Sequence, residues 1–304
     1  MERPSGGLRI QASKIAFTAK DLIENGNPKE ALRLLTPEIR KHTDASLLTL
    51  AGVAAWKDED NRQALEYWKQ SLELQPDPSL QALYAKVERE VNNDVSKEKL
   101  YGMRVLLRYD DVTVPAETAR QMTSAVDQAY MAVSTELGCR TEDRIVTIVQ
   151  SWDAYQKTTQ AAEWSGGLFD GRIHMPAVTN QQMTAEMQRR LTHETTHACL
   201  TMLGKWPTWL HEGMAQRLSG ETLSPKVKER LLTIAREAKL GSLAKLNAGW
   251  GSMDGRSAAV AYGLALVAVD ELYSDFGLDG VRNLLRNPER MASTIAELDR
   301  RLGL

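Results

Sequence analysis

Residues 189–203 read RRLTHETTHACLTML and predict a helix that carries much of the chemistry in this chain. The stretch contains the pattern HExxH, in which His193 and His197 are four residues apart and Glu194 follows the first histidine. Residues i and i+4 lie one above the other on a helical face, so both imidazoles can bind one metal ion. Glu194 lies about 100° around the helix from His193, where its carboxylate can reach a water without binding the metal.

The same helix has an ordinary structural interpretation as well. An apolar stripe at helical spacing runs along it, formed by Met187, Leu191, Thr195, Ala198 and Met202. A catalytic helix must also pack against its neighbours, so the stripe does not compete with a metal site. A metal-free helical protein with a chance HExxH motif stays the alternative at this point.

The composition excludes several classes of protein. Hydrophobic residues make up 42% of the 304-residue chain and charged residues 26%, which is typical of a folded globular protein. The formal net charge of -2 gives no overall positive field that would favour nucleic acid or anionic lipid. The two cysteines, Cys139 and Cys199, exclude an all-cysteine zinc site and a disulfide framework, but leave one bridge open. We expect Cys199 to be a small buried side chain rather than a metal ligand.

A third metal ligand is expected from the residues that follow. Catalytic zinc usually has three protein ligands and one open position. Residues 207–215, PTWLHEGMA, come after a break bounded by Gly204 and Pro207, and predict a second helix that begins near Trp209. Such a helix would run back past the first and place Glu212 over the histidine pair.

Two alternatives to Glu212 stay open, and one class of enzyme is excluded. His211 precedes Glu212 directly, and because adjacent helical residues point about 100° apart, both cannot face the metal equally. Asp254, in a predicted loop, is the other alternative. The metzincin pattern requires a glycine and a histidine at positions that here hold Leu200 and Leu203.

Residues 144–276 resemble the peptidase MA-like, or gluzincin, metallopeptidases. In that family HExxH is followed by a helix of the form WLxEGxA, and this chain has the matching residues Trp209, Leu210, Glu212, Gly213 and Ala215. The strand RIVTIVQ (144–150) and the hairpin GGLFDGRIHMP (166–176) match the family's usual lead-in, in which an edge strand borders the substrate cleft. The resemblance, which covers about half the chain, implies one zinc ion bound by His193, His197 and Glu212. It also implies that Glu194 is the general base and later the general acid.

A tyrosine is a further candidate catalytic residue by the same resemblance. Gluzincin sites often have a downstream tyrosine that donates a hydrogen bond to the tetrahedral oxyanion. Tyr262 stands near this place, in a predicted helix over residues 258–273. The alternative is a tyrosine that packs in a helical core. His174, after a strand, and His42, near the N-terminus, are expected to be surface or packing residues.

The first ninety or so residues are predicted to form helical hairpins. Ala31 and Ala64 are 33 residues apart, close to the 34-residue tetratricopeptide period, and Leu35 and Trp68 each follow four residues later. Residues 1–95 therefore resemble tetratricopeptide repeats, which many members of the peptidase family carry, and the helix 78–91 would cap them. Such repeats imply a groove that recruits a protein substrate or partner. An unrelated pair of helical hairpins is the alternative.

The remaining residues, 96–304, follow a polar boundary at 92–99 and have a different pattern. Strands are predicted over 103–109 and 144–150, helices over 114–137 and 151–159, a hairpin over 168–174, and almost continuous helix from residue 181. We therefore expect an α+β fold that is mostly helical, with tetratricopeptide-like hairpins followed by a gluzincin-type domain that has a small mixed sheet and a helical C-terminal part.

These features together predict a zinc-dependent metallopeptidase in which Glu194 activates a water that hydrolyses peptide bonds. The alternative is a non-catalytic adaptor, stabilised by zinc, that acts through its repeats. No apolar run is long enough to span a bilayer, and MERPSGGLRI is not followed by the apolar region of a signal peptide. A cytoplasmic protein is predicted from the chain as given, with an exported protein whose signal has been removed as the alternative.

Overall fold

The computed structural model describes residues 6–238, 240, 242–247, 250 and 253–304, with the backbone alone for 6–13. The described residues are mostly helical and include a mixed five-stranded sheet, which confirms the predicted mostly helical α+β class. The chain divides into two compact units. Unit 1 comprises Met1–Asp94 with Thr141–Asp143 and Lys157–Thr159, and unit 2 comprises the rest.

Unit 1 consists of consecutive helices with clear start signals. Asp44, Asp60 and Asp77 each accept hydrogen bonds from backbone N–H groups at the start of a helix, which satisfies donors that have no partner within the helix. Pro28 and Pro78 are the first residues of two helices, and Pro78 directly follows the capping residue Asp77. The helices are α1 (Gly6–Glu24), α2 (Pro28–Lys41), α3 (Ala45–Lys57), α4 (Asn61–Leu74) and α5 (Pro78–Asn93).

The positions that the sequence pairs at the repeat spacing are all in the core of unit 1. Ala31 and Leu35 on α2, and Ala64 and Trp68 on α4, are fully buried. The Trp68 indole N–H also donates to the backbone oxygen of Thr49, 3.2 Å away on α3. Residues at equivalent positions of the two hairpins are thus buried in the same way. That these hairpins are tetratricopeptide repeats stays a prediction.

Unit 2 is built on the sheet, whose strand order is β1-β2-β3-β5-β4. The three middle strands are parallel, and each outer strand pairs antiparallel with its neighbour. All five residues of β2 are buried, as expected for a strand inside a sheet that is covered on both faces. The strands are β1 (Glu98–Tyr101), β2 (Val105–Tyr109), β3 (Ile145–Ser151), β4 (Leu168–Phe169) and β5 (Ile173–Ala177).

The helices that begin in unit 2 precede and follow the strands along the chain. Two of them precede the helix that carries HExxH, and a series of helices follows it, as the sequence predicts from residue 181 onward. They are α6 (Ala116–Leu137), α7 (Trp152–Thr159), α8 (Ala185–Leu203), α9 (Thr208–Leu218), α10 (Pro225–Glu237), α11 (Gly255–Arg286) and α12 (Met291–Leu302), with short 3-10 helices at Leu243–Leu246 and Pro288–Arg290. Among the described residues, none of the helices combines the length and apolar character that crossing a bilayer requires.

The helices predicted over 114–137 and 151–159 both form, as α6 and α7. Ser151 caps α7, and Gly138 ends α6 in the left-handed conformation. The 168–174 hairpin forms, with Leu168 opposite His174. The polar stretch 92–99, which we expected to be a boundary, contains the division between the two units, after Asp94, and also the start of β1, which was not predicted. This edge strand is mostly exposed, so it has no apolar alternation that the sequence would reveal.

A disulfide bond joins Cys139, just after α6, to Cys199 within α8. The sequence allows one such bridge. Cys199, which we expected to be a small buried side chain, is buried and forms this bond. The two cysteines are 60 residues apart, and the segment between them includes β3, α7, β4 and β5. The bond therefore links α8 to the residue that directly follows α6.

Replacing both cysteines, Cys139→Ala with Cys199→Ala, is expected to lower the free energy of unfolding of unit 2 by about 4 kcal/mol. A link across this length of chain restricts the unfolded state, and that restriction is lost in the variant. Calorimetry of the oxidised proteins measures the change. A thiol reductant should destabilise the wild type to the same extent and leave the double variant unaffected. Equal stability of variant and oxidised wild type would contradict the bond.

Candidate metal centre

Helix α8 presents His193 and His197 on one face, as their spacing predicts. Thr184 caps the helix, because its hydroxyl accepts a hydrogen bond from the Met187 N–H at 3.1 Å. The opposite face carries Leu191, which is fully buried. The two imidazole rings lie 4.9 Å apart between centroids and at 78° to each other. The packing of the apolar face therefore fixes the direction in which both imidazoles point.

A short connection turns the chain from α8 into α9. Gly204 ends α8, and the Trp206 indole N–H donates to the backbone oxygen of Leu200 at 3.2 Å, close to that end. Pro207 precedes the first residue of α9. Trp209 is fully buried and anchors this helix in the core. The turn brings Glu212, in the second turn of α9, back to the histidines of α8.

The carboxylate of Glu212 faces both imidazoles. Its Oε2 atom lies 3.3 Å from His193 Nε2 and 3.5 Å from His197 Nε2. Ligand atoms about 2.0–2.1 Å from a tetrahedral zinc ion are about 3.3–3.4 Å from one another, so the spacing suits that ion. Oε2 is buried and has no hydrogen-bond partner in the part of the chain that the structure describes. Within that part, these three residues are the group whose donor atoms are close enough to hold a metal.

Electrostatics couple the three side chains strongly. Burial raises the pKa of Glu212, but the charges and close polar contacts of His197 and His193 together outweigh burial and hold that pKa far below its usual range. Burial lowers the pKa of His197, but the charge and close polar contact of Glu212 and the charge of Glu194 together outweigh burial, so the net effect is a raised pKa. Without a metal, the carboxylate is thus stabilised by positive charge on the imidazoles. A divalent cation bound by the same three groups would replace that charge.

Glu194 lies beside this group and outside it. It is buried, and burial raises the pKa of its carboxyl group above the usual value, although His193 and His197 oppose this effect. The backbone of Gly167, just before β4, passes directly against the carboxylate: a Cβ atom at Gly167 would lie 2.7 Å from Glu194 Oε1. A residue with a side chain would displace the carboxylate, so this position suits glycine.

A close approach of α9 to α11 supports the third candidate ligand. A Cβ atom at Gly213 would overlap the backbone oxygen of Ala265 and lie 2.6 Å from Val269 Cγ2. The buried Gln216 side chain joins the same two helices, because its amide donates to the backbone oxygens of Glu212 (3.1 Å) and Tyr262 (2.9 Å). Glycine and glutamine together fix the position of Glu212 relative to α11.

Tyr262 packs among aromatic rings at the edge of this group. Its ring makes edge-on contacts with Trp250, at 4.9 Å between centroids, and with Trp164, at 5.9 Å. Burial raises the pKa of Tyr262 well above its usual range, and the charges of Glu212 and Glu194 raise it further. The phenol therefore stays protonated at neutral pH and keeps a hydrogen-bond donor near both carboxylates.

The other candidates lie outside the three-residue group. His211 stacks 5.6 Å from the His197 ring, and burial, together with the charge of His197, lowers its pKa to about 4. Asp254 is exposed and caps α11, where its carboxylate accepts from the backbone N–H groups of two residues. His174 is buried 3.3 Å from Asp170 Oδ1, and His42 is exposed. Glu212 is thus the third residue that the geometry groups with the histidine pair.

Three residues that contact the site are not predicted from the sequence: Gln216, Gly167 and Trp164. Gln216 lies one helical turn after Glu212, so its proximity to that residue could be read from the spacing, but its second partner on α11 could not. Gly167 and Trp164 lie in an irregular segment, where no periodicity shows which side chains face the helices.

Substituting Gly213→Ala is expected to destabilise unit 2 by about 1–3 kcal/mol and to weaken zinc binding. The added methyl group must push α9 away from α11, which moves Glu212 relative to the histidines. Thermal unfolding and a competitive zinc titration measure the two effects. Gly255→Ala is the matched control, because a Cβ there meets no described atom within 4 Å. A Gly213→Ala protein that matches this control in both measurements would contradict the role of the close approach.

No protein-family model matches the chain, and a search of curated proteins finds no match. The candidate metal centre therefore rests on the HExxH spacing, the helix that carries Glu212, and the distances between the three donor atoms.

Proposed function

We propose that this protein is a zinc-dependent metallopeptidase that hydrolyses peptide bonds. The observation that carries the proposal is the approach of Glu212 Oε2 to within 3.3 and 3.5 Å of the two histidine Nε2 atoms, with Glu194 alongside. Two imidazoles and one carboxylate form a donor set typical of catalytic zinc, which keeps a fourth position open. A purely structural zinc site has no use for a buried carboxylate that is outside the ligand set.

In this proposal His193, His197 and Glu212 hold the ion and the neighbouring residues carry the proton transfers. When bound, zinc polarises the carbonyl of the substrate and lowers the pKa of the attacking water. The neutral imidazoles and the single carboxylate leave a net positive charge at the centre. Tight packing of α9 on α11 keeps the third ligand in place, since Gly213 and Gln216 determine where Glu212 lies.

Glu194 takes and returns the proton. It accepts a proton from the water as the water oxygen bonds to the carbonyl carbon, and it then donates that proton to the amide nitrogen as the carbon–nitrogen bond breaks. The products are a carboxylic acid and an amine, so one water is consumed for each bond cleaved. Burial raises the pKa of Glu194, and a carboxylate with a higher pKa is a stronger base toward the water.

Tyr262 is the proposed donor to the oxyanion. The substrate oxygen gains negative charge when the water adds, and a hydrogen bond that forms at that stage lowers the barrier. The protonated phenol lies close to Glu212 and Glu194, whose charges raise its pKa. The contacts of its ring with Trp250 and Trp164 restrict its orientation, so the donor does not need to reorganise during the reaction.

Unit 1 is proposed to recruit a protein substrate or partner. Its consecutive helices and the matching buried positions on α2 and α4 support the resemblance to tetratricopeptide repeats. Repeats of this kind stack into concave surfaces that bind extended segments of other proteins. The formal net charge of -2 makes a polyanion an unsuitable partner.

The variant Glu194→Gln is expected to keep zinc and lose hydrolysis, by about 100-fold or more, because the amide cannot accept the proton from water. Elemental analysis measures the zinc, and cleavage of a peptide library with and without a chelator measures the activity. Glu186→Gln is the control, since Glu186 is exposed on the same helix. Glu212→Ala should lose the metal as well as the activity.

Three results would contradict this function. Full activity of Glu194→Gln would exclude the proposed proton transfer. A wild-type protein that binds zinc but cleaves no peptide, with the chelator affecting only its stability, would instead support the zinc-stabilised adaptor. Absence of zinc from the purified protein, and failure to bind added zinc, would leave HExxH as a chance motif.

The variant Tyr262→Phe is expected to lower kcat by about 100-fold, with KM close to that of the wild type. The phenol contributes after the oxyanion forms, so its loss raises the barrier without weakening binding of the substrate. Steady-state kinetics on a cleaved peptide measure both constants. Tyr273→Phe, on the same helix, is the control. Equal loss of kcat in both variants would show that Tyr262 serves packing alone.

A further inference from the structure

The segment 160–167, between α7 and β4, lies against the residues of the candidate metal centre. Its last residue, Gly167, passes against the Glu194 carboxylate. Ser165 holds the segment in shape, because its hydroxyl donates to the Gly167 backbone oxygen at 2.6 Å and lies 2.9 Å from the Tyr155 hydroxyl. A turn within the segment is closed by a backbone hydrogen bond from Ser165 to Ala162. The position of Trp164 is thus determined by its neighbours in this segment.

Trp164 forms the outer part of an aromatic cluster with Tyr262 and Trp250. Its ring meets the Tyr262 ring edge-on at 5.9 Å, and Tyr262 meets Trp250 edge-on at 4.9 Å. Trp250 is 6% exposed, whereas Trp164 is 42% exposed, so the cluster is buried at one end and open to solvent at the other. The open end is a preformed apolar surface.

This surface is adjacent to the donor atoms of the metal centre. Tyr262 belongs to the aromatic cluster, and the Gln216 amide joins its backbone to that of Glu212. Gly167, three residues after Trp164, contacts Glu194. The aromatic cluster therefore adjoins the candidate metal centre on the α11 side, through Tyr262, and the segment that carries Trp164 reaches Glu194 on α8. Sites for organic ligands have this composition, an apolar and aromatic lining with a few polar groups that fix orientation.

We propose that the aromatic cluster of Trp164, Tyr262 and Trp250 determines substrate specificity by binding a large apolar side chain of the peptide, next to the bond that is cleaved. The inference rests on the proposed peptidase function, since that function places the scissile bond at the metal centre. A charged side chain would lose its hydration against the buried rings, which is costly, whereas an apolar one gains from the same burial.

The test measures peptide binding in the full-length, zinc-loaded Glu194→Gln protein, so that cleavage does not interfere. The probes are short peptides with blocked ends that differ at one central position, which is phenylalanine, alanine or lysine. Calorimetry should show the phenylalanine peptide binding about tenfold more tightly than the alanine peptide. Adding Trp164→Ala should reduce this ratio to near one, and Trp164→Phe should retain most of it.

A matched control separates specificity from general loss of apolar surface. Phe276 on α11 has the same exposed fraction as Trp164, 42%, and lies outside the aromatic cluster. The change Phe276→Ala should leave the binding ratio unaltered. Zinc content and thermal unfolding establish that each variant is folded, and Trp164→Gln provides a second removal of the ring if the alanine variant is unstable.

The outcomes distinguish this inference from the proposed function. A phenylalanine preference that persists in both Trp164→Ala and Trp164→Gln would overturn the inference, as would tightest binding of the lysine peptide or no binding of any peptide. If the preference is present and depends on Trp164, but the wild-type protein cleaves nothing, then the peptidase function fails and the binding site stands.

Discussion

The interaction on which unit 2 depends is the contact of one carboxylate with two imidazoles. Glu212 on α9 and the histidines of α8 are polar groups held together in a largely buried place, which is unfavourable unless their charges are compensated. The depressed pKa of Glu212 and the raised pKa of His197 show that each partner supplies that compensation to the other. A bound divalent cation would supply it more fully, and the same three groups that join α8 to α9 are close enough to one another to hold such an ion.

This contact forms only if α8 and α9 are both held in place, and each helix is held by a different part of the structure. The disulfide bond to Cys139 ties α8 to the end of α6, and Gly167 restricts the space around Glu194 from the side of the sheet. Helix α9 is held from the other side, by its close approach to α11 at Gly213. The distances between donor atoms are thus determined by packing on both sides of the site, and not by the ligands alone.

The sequence predicts those parts of the site that lie at regular spacing along one element. The i, i+4 spacing of His193 and His197 places both on one face of α8, and the residues around Glu212 predict the helix that returns to them. The sequence allows one disulfide bond but does not predict it, because the bond depends on how the end of α6 packs against α8. The two cysteines are 60 residues apart in sequence. Trp164 and Gly167 lie in irregular backbone, where contacts depend on tertiary packing and no repeat reveals them.

The third ligand and the proposed oxyanion donor are coupled through Gln216. Its single amide group donates to the backbone of both Glu212 and Tyr262, so a shift of α9 along α11 would change the position of the proposed metal ligand relative to the phenol. Metal binding and transition-state stabilisation would then respond to the same packing changes. Tyr262 also belongs to the aromatic cluster with Trp164, which extends this coupling to the proposed surface for the substrate side chain. One helix, α11, therefore determines the relative positions of all three parts of the proposed catalytic machinery without supplying a metal ligand.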